Sequence, residues 1–165
     1  MPTRARTRPK MLTYQPATAE QVDEFLHLLR LDAADYLDST MALMGMTWSQ
    51  FARLVKTVGQ VFGIYRDGLL VGFYWTEERG RIVHLHGLVI RRAYQGQGIG
   101  TETLTMLARR YAGLMDAIEL GVHASNARAR ALYEWLGYRT VKYLPDCGFY
   151  ILQRPLAGAD AVGAA

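Results

Sequence analysis

The chain has 165 residues, half of them apolar and 21% charged, with 19 Lys and Arg against 15 Asp and Glu and a single cysteine. This composition excludes a disordered or collagen-like chain, and the length suits one domain that buries a core of its own. No run approaches the roughly 20 apolar residues of a membrane span, and Cys147 has no partner for an internal disulfide, so a cytoplasmic protein is expected.

Residues 1–10 carry Arg4, Arg6, Arg8 and Lys10 and no acid, which leaves the rest of the chain with 15 bases and 15 acids. The net charge of +4 therefore belongs to a terminal arm, read as a flexible basic tail. Such an arm can touch nucleic acid, but the domain behind it has no matching basic excess, so no nucleic-acid partner is expected. Residues 11–15 read as a first strand. Thr18 with Gln21 forms a capping box, and Val22, Phe25, Leu26 and Leu29 then recur at helical spacing. Thr47 with Gln50 repeats the device ahead of Phe51, Leu54, Val55 and Val58. The stretch 32–46 between them has no clear period.

The middle reads as sheet. Residues 61–66 and 69–76 flank Asp67-Gly68, a tight hairpin dipeptide. Glu78-Arg79-Gly80 reads as the next turn, and 81–90 as a long, largely apolar central strand. Gly87 within it marks a bulge or a close backbone approach. By strict alternation His84, His86 and Leu88 share one face of that strand. Leu104, Leu107, Ala108 and Tyr111 predict a helix after a glycine-rich segment, and 117–123 predicts a strand. Ser125 or Asn126 caps a helix bearing Ala129, Leu132, Tyr133 and Leu136, which Gly137 ends. Residues 138–144 and 148–154 read as a closing strand pair, and the small residues of 157–165 as a flexible tail. The expected architecture is α/β, one domain over 11–156, with helices on both faces of a mixed sheet.

The segment Gln95-Gly96-Gln97-Gly98-Ile99-Gly100-Thr101 lies between a strand and a helix. Unpaired N–H groups at a helix start bind phosphate, and glycines let an anion reach the backbone. A P-loop would end in Gly-Lys-Ser/Thr, and this one continues Gly100-Thr101-Glu102. A dinucleotide fingerprint needs a third glycine where Thr101 stands, and Glu119 opens its strand where the ribose-binding acid of that fold would close it.

Two motifs together resemble the GNAT superfamily of N-acetyltransferases. Gln95-Gly96-Gln97-Gly98-Ile99-Gly100 matches the family's acyl-CoA loop, and Asn126, Ala129, Leu132, Tyr133, Gly137 and Tyr138 match its later segment. The resemblance covers about residues 11–154. It implies a six- or seven-stranded mixed sheet whose central strands splay apart. It further implies acetyl-CoA as acyl donor, its pyrophosphate on the N–H groups of Gln95, Gly96, Gln97, Gly98, Ile99, Gly100 and Thr101. The pantetheine would run along the backbone of Leu88, Val89 and Ile90, with Asn126 beside it. Tyr133 would sit by the thioester sulfur as general acid.

Acetyl transfer to an amine needs a base, oxyanion donors and a proton for the leaving thiolate. His84 is the candidate base, counted back from the glycine loop to where some relatives carry a glutamate, and His86 is its rival. The Val89 N–H is the candidate oxyanion donor. Asp32, Asp35 and Asp38 lie near where the family builds its acceptor pocket. No metal site is expected from His-x-His with one distant Cys. The expected activity is transfer of acetyl from acetyl-CoA to a primary amine of a small molecule or peptide. An acyl-CoA sensor without turnover is the alternative, and the resemblance leaves room for a homodimer through the closing strands.

Overall fold

A computed structural model describes residues 11–158, so the basic arm and residues 159–165 lie outside the described residues. Both capping boxes form. Gln21 N–H donates to Thr18 Oγ1 at 3.2 Å and Thr18 N–H to Gln21 Oε1 at 3.0 Å. The Thr47 and Gln50 pair does the same at 3.2 and 2.8 Å. These boxes start α1 (Ala19–Asp32) and α3 (Trp48–Thr57), which follow β1 (Leu12–Pro16) and flank a short α2 (Leu37–Leu43) in the stretch that lacked a period. Next come β2 (Gln60–Arg66), β3 (Leu69–Arg79) and β4 (Ile82–Ile90). At the β2–β3 hairpin Asp67 and Gly68 both take left-handed φ, 52° and 77°, as a tight turn of matching twist requires.

The second half holds a 3-10 turn at Arg92–Tyr94, α4 (Ile99–Tyr111), β5 (Ala117–His123), α5 (Ala127–Trp135), β6 (Arg139–Leu144) and β7 (Phe149–Pro155). Ala157 is still tied down, accepting from Gly113 N–H at 2.9 Å. The expected turn at Glu78-Arg79-Gly80 shrinks to its end. Strand β3 pairs with β4 through Arg79 opposite Ile82, and Gly80 with φ +56° makes the reversal.

The seven strands run β1-β2-β3-β4-β5-β7-β6, antiparallel except for β4 with β5. The mixed sheet with helices on both faces is thus present. One face packs Tyr74, Val83, Leu85, Ile118 and Leu152 against Leu104 and Leu107 of α4. The other packs Phe73, Trp75 and Val89 against Phe25 and Leu26 of α1 and Val55 of α3.

Two departures from regularity shape the middle of the sheet. The β4–β5 ladder runs from Ile82 opposite Ala117 to Leu85 opposite Leu120 and stops there. Beyond it β4 stays on β3 as far as Ile90 opposite Gly72, while β5 stays on β7 as far as His123 opposite Phe149. The implied splay is therefore real. Second, Trp75 faces Gly87 while Thr76 faces Leu85, so His86 is the extra residue of a bulge. The bulge overturns strict alternation: His86 stacks on Trp75 with ring centres 4.7 Å apart, whereas Leu88 packs with the α4-side core.

Gly87 is required by the packing at this bulge. A Cβ there would stand 2.9 Å from Cζ of Phe25, which is fully buried. At Gly121, across the gap on β5, the nearest atoms to a Cβ lie at 3.6 Å. Gly87→Ala is expected to cost about 1–3 kcal/mol, a Tm loss of roughly 3–10 °C. Gly121→Ala should stay within about 0.5 kcal/mol. Equal melting temperatures for the two variants would show that Phe25 yields.

Candidate active site

A cleft of about 660 Å³ opens where β4 and β5 part. His86, Gly87 and Leu88 line one side and Leu120, Gly121, Val122 and His123 the other. Asn126 and Tyr133 reach it from α5, Glu77 and Arg79 from β3, and Asp32, Tyr36 and Met41 from the helical side.

The free edge of β4 is polar backbone. Arg91 N–H donates to Val71 O at 2.8 Å, and antiparallel pairing alternates from there. The N–H and C=O of Val89 therefore point at Phe73, and those of Leu88 and Ile90 point into the gap. The free N–H donors in this stretch belong to Leu88 and Ile90, not to Val89. The Ile90 carbonyl is already taken, accepting from Gln95 Nε2 at 3.0 Å.

The glycine loop follows directly. Gly96 and Gly98 have φ of +74° and +79°, and a Cβ on either would meet nothing within 4 Å. Gly98 is the N-cap of α4 without a side-chain cap, so the N–H groups of Ile99, Gly100 and Thr101 are unpaired within the helix. A left-handed cap, open space and a bare helix start together suit an anionic phosphate. None of Gln95 to Thr101 lines the cleft itself. Ile90 lies three steps along the strand from Gly87, about 10 Å of backbone, so loop and cleft are joined by the free edge.

Tyr133 is half-buried at the cleft, 5.8 Å from Tyr138 between ring centres. Burial, with smaller contributions from Tyr36 and Asp32, pushes its hydroxyl up to about 12. Asn126 caps α5, its Oδ1 accepting from Ala129 N–H at 3.2 Å, and also lines the cleft.

The two histidines separate into different roles. His84 Nδ1 lies 2.9 Å from Glu119 Oε2, and His84 does not line the cleft. Burial and then Arg79 hold it below the ordinary imidazole range, so it adds no positive charge at neutral pH. His86 lines the cleft, and its Nε2 lies 2.9 Å from Glu77 Oε1. That bond from His86, with Arg79 Nε also on the oxygen at 2.7 Å, keeps the Glu77 carboxyl below its usual range. An Nε2–H donated to Glu77 leaves the Nδ1 lone pair free. The rings of His84 and His86 are stacked, 5.9 Å between centres.

Sequence reasoning missed Glu77, because it ends that strand at residue 76 whereas β3 runs on to Arg79. Glu77 stands opposite His84 in the β3–β4 register, and a carboxylate facing an imidazole across a hairpin was the available signal. It also missed His123, stacked on Tyr36 at 4.4 Å between centres with 1° between planes. Asp32 lines the cleft, while Asp35 and Asp38 do not. Among the described residues no group of three His, Cys, Asp or Glu is placed to hold a metal, and no helix is long and apolar enough to cross a membrane.

Comparison with known proteins gives the same picture. The mycothiol acetyltransferase of Streptomyces coelicolor is 38% identical over 78 residues, 46% of this chain and 25% of that protein. The chain thus matches only about a quarter of that relative's length. The solved ribosomal-protein-S18-alanine N-acetyltransferase of Escherichia coli superposes with a TM-score of 0.67 at 22% identity, covering 89% of this chain and 95% of that one. A GNAT family acetyltransferase from Elizabethkingia anophelis with acetyl-CoA bound gives 0.65 at 17% identity, over 88% and 98%. The sequence model described as the acetyltransferase (GNAT) family matches residues 22–138, which takes in the splay, the glycine loop and Tyr133, and the chain belongs to that family of acetyltransferases.

Proposed function

We propose that this enzyme moves an acetyl group from acetyl-CoA directly to a primary amine, without an acyl-enzyme. The observation that carries the reading is the free edge of β4, which joins an anion-binding helix start to a cleft holding an imidazole–carboxylate pair. The solved relative from Elizabethkingia anophelis is described with acetyl-CoA bound. The residues present here suit that molecule: phosphate on the N–H groups of the loop 95–101, and the amide-bearing arm against Leu88 and Ile90.

Acetyl-CoA supplies a thioester whose C–S bond breaks as the amine nitrogen bonds to its carbonyl carbon. The acceptor must first shed a proton, and a lysine-like amine with a pKa of about 10.4 is almost wholly charged at pH 7. His86 Nδ1 is the base for that proton, its ring fixed by Glu77. His84, held by Glu119 behind the cleft, stays uncharged beside it and is a positioning residue. Tyr133 is the proton donor to the departing sulfur. A hydroxyl near 12 is a weaker acid than a thiol near 8.5, so donation is concerted with C–S cleavage.

Three outcomes are expected. Gly98→Val puts a branched side chain at φ +79° and should abolish the acetyl-CoA-induced rise in Tm, roughly 5–10 °C at saturation for the parent. The apo variant must still melt cooperatively, and an unchanged ligand shift would remove the loop from the site. Tyr133→Phe should lower kcat roughly a hundredfold with the acetyl-CoA Kd unchanged. Because the raised hydroxyl remains protonated well past neutrality, the ratio of parent to variant should stay flat between about pH 7 and 10. A ratio that collapses in that window would show that Tyr133 titrates there. His86→Gln should lower kcat/KM roughly a hundredfold, and His84→Gln by less than about tenfold. The reverse order would move the base to His84.

A further inference from the structure

The cleft walls carry a statement about the acceptor that rests on the acetyl-transfer reading. Helix α2 and the segment after it bring Leu37, Met41, Met44 and Met46 to one side, and α3 adds Phe51 and Leu54. Met44 is 63% exposed and Leu54 37% exposed although both face the cleft, so apolar surface is left open to water where a substrate enters. Methionine side chains adapt to varied apolar shapes, which suits a wall that takes a hydrocarbon body.

Charge on the other lining residues is uneven. Glu77 is satisfied by His86 and Arg79, and Arg79 is thereby neutralised. Asp32, the last residue of α1, has no ion-pair or hydrogen-bond partner among the described residues, and partial burial pushes its carboxyl up. It lies near enough to Tyr36 and Tyr133 for its charge to raise both hydroxyls. One uncompensated carboxylate thus stands beside the proposed proton donor, at the foot of an apolar wall.

We propose that the acceptor is a primary monoamine carried on an alkyl or aryl body, its ammonium drawn in by Asp32 and its body laid against the methionine wall of α2. A carboxylate next to the amine would meet Asp32. A second ammonium, or a ring of hydroxyls, would be desolvated against methionines, with Thr40 the one polar side chain that α2 itself turns to the cleft. Asp32 holds the amine as a cation until His86 takes its proton.

The test is acetyl-CoA-dependent thiol release with a matched panel: 2-phenylethylamine, hexylamine, phenylalanine, spermidine, glucosamine and a short peptide. The two monoamines should lead in kcat/KM, with 2-phenylethylamine at least tenfold above phenylalanine. Asp32→Asn should raise KM for 2-phenylethylamine at least tenfold with kcat nearly unchanged. It should leave the acetyl-CoA shift in Tm as in the parent, which a folding defect would not. Met44→Ser should raise KM for hexylamine severalfold. Phenylalanine, spermidine, glucosamine or the peptide as best acceptor overturns the inference, as does an unchanged KM in Asp32→Asn, while the acetyl-transfer reading stands. Absence of any acetyl-CoA shift in the parent overturns both.

Discussion

A β-strand that loses its neighbour must still satisfy its backbone, and the site depends on how β4 meets that demand. Four parallel pairs hold β4 to β5, after which the two strands follow different partners. Leu88 and Ile90 then present donors and acceptors to a gap inside the sheet, away from its outer edges. An unsatisfied buried N–H or C=O costs enough that such a gap persists only where water or a ligand with amide groups can fill it. The bulge at His86 and the bare Cα of Gly87 under Phe25 belong to the same solution. They turn the strand so that a histidine faces the gap just where the pairing ends.

The electrostatics follow the same line. Two imidazole–carboxylate pairs flank the parting. His84 with Glu119 joins β4 to β5 at the penultimate paired position, and His86 with Glu77 joins β4 to β3 just beyond it. The first pair is backed by Gln153, whose Nε2 donates to Glu119 Oε1 at 2.9 Å, and it closes the seam. The second opens onto the cleft with one ring nitrogen uncommitted. Similar pairs thus close a seam in one place and face an open cleft in the other, and the difference is position relative to the split.

Much of this was legible in the chain. The capping boxes at Thr18 and Thr47, the Asp67-Gly68 reversal and the glycine loop are local devices, and each formed as its residues require. Alternation failed at His86 because a bulge inserts a residue that no periodicity counts. Gly87 had flagged the spot but not the direction of the shift. The insertion of β7 between β5 and β6 was hidden because strand order is set by long-range pairing. The wall of α2 was hidden because a seven-residue helix is too short to show a period and is shaped by the cleft it borders.

The unpaired edge of β4 is bounded at both ends. Gln95 folds back and occupies the carbonyl of Ile90, while at the other end β5 rejoins at Leu85 and Leu120. Between these stops lies a fixed length of backbone. An extended molecule laid there can advance only until the strands close on it, so its leading atom halts at a depth set by the main chain. The fold thereby works as a gauge: side chains choose what lies in the cleft, and the covalent geometry of the sheet decides how far in it goes.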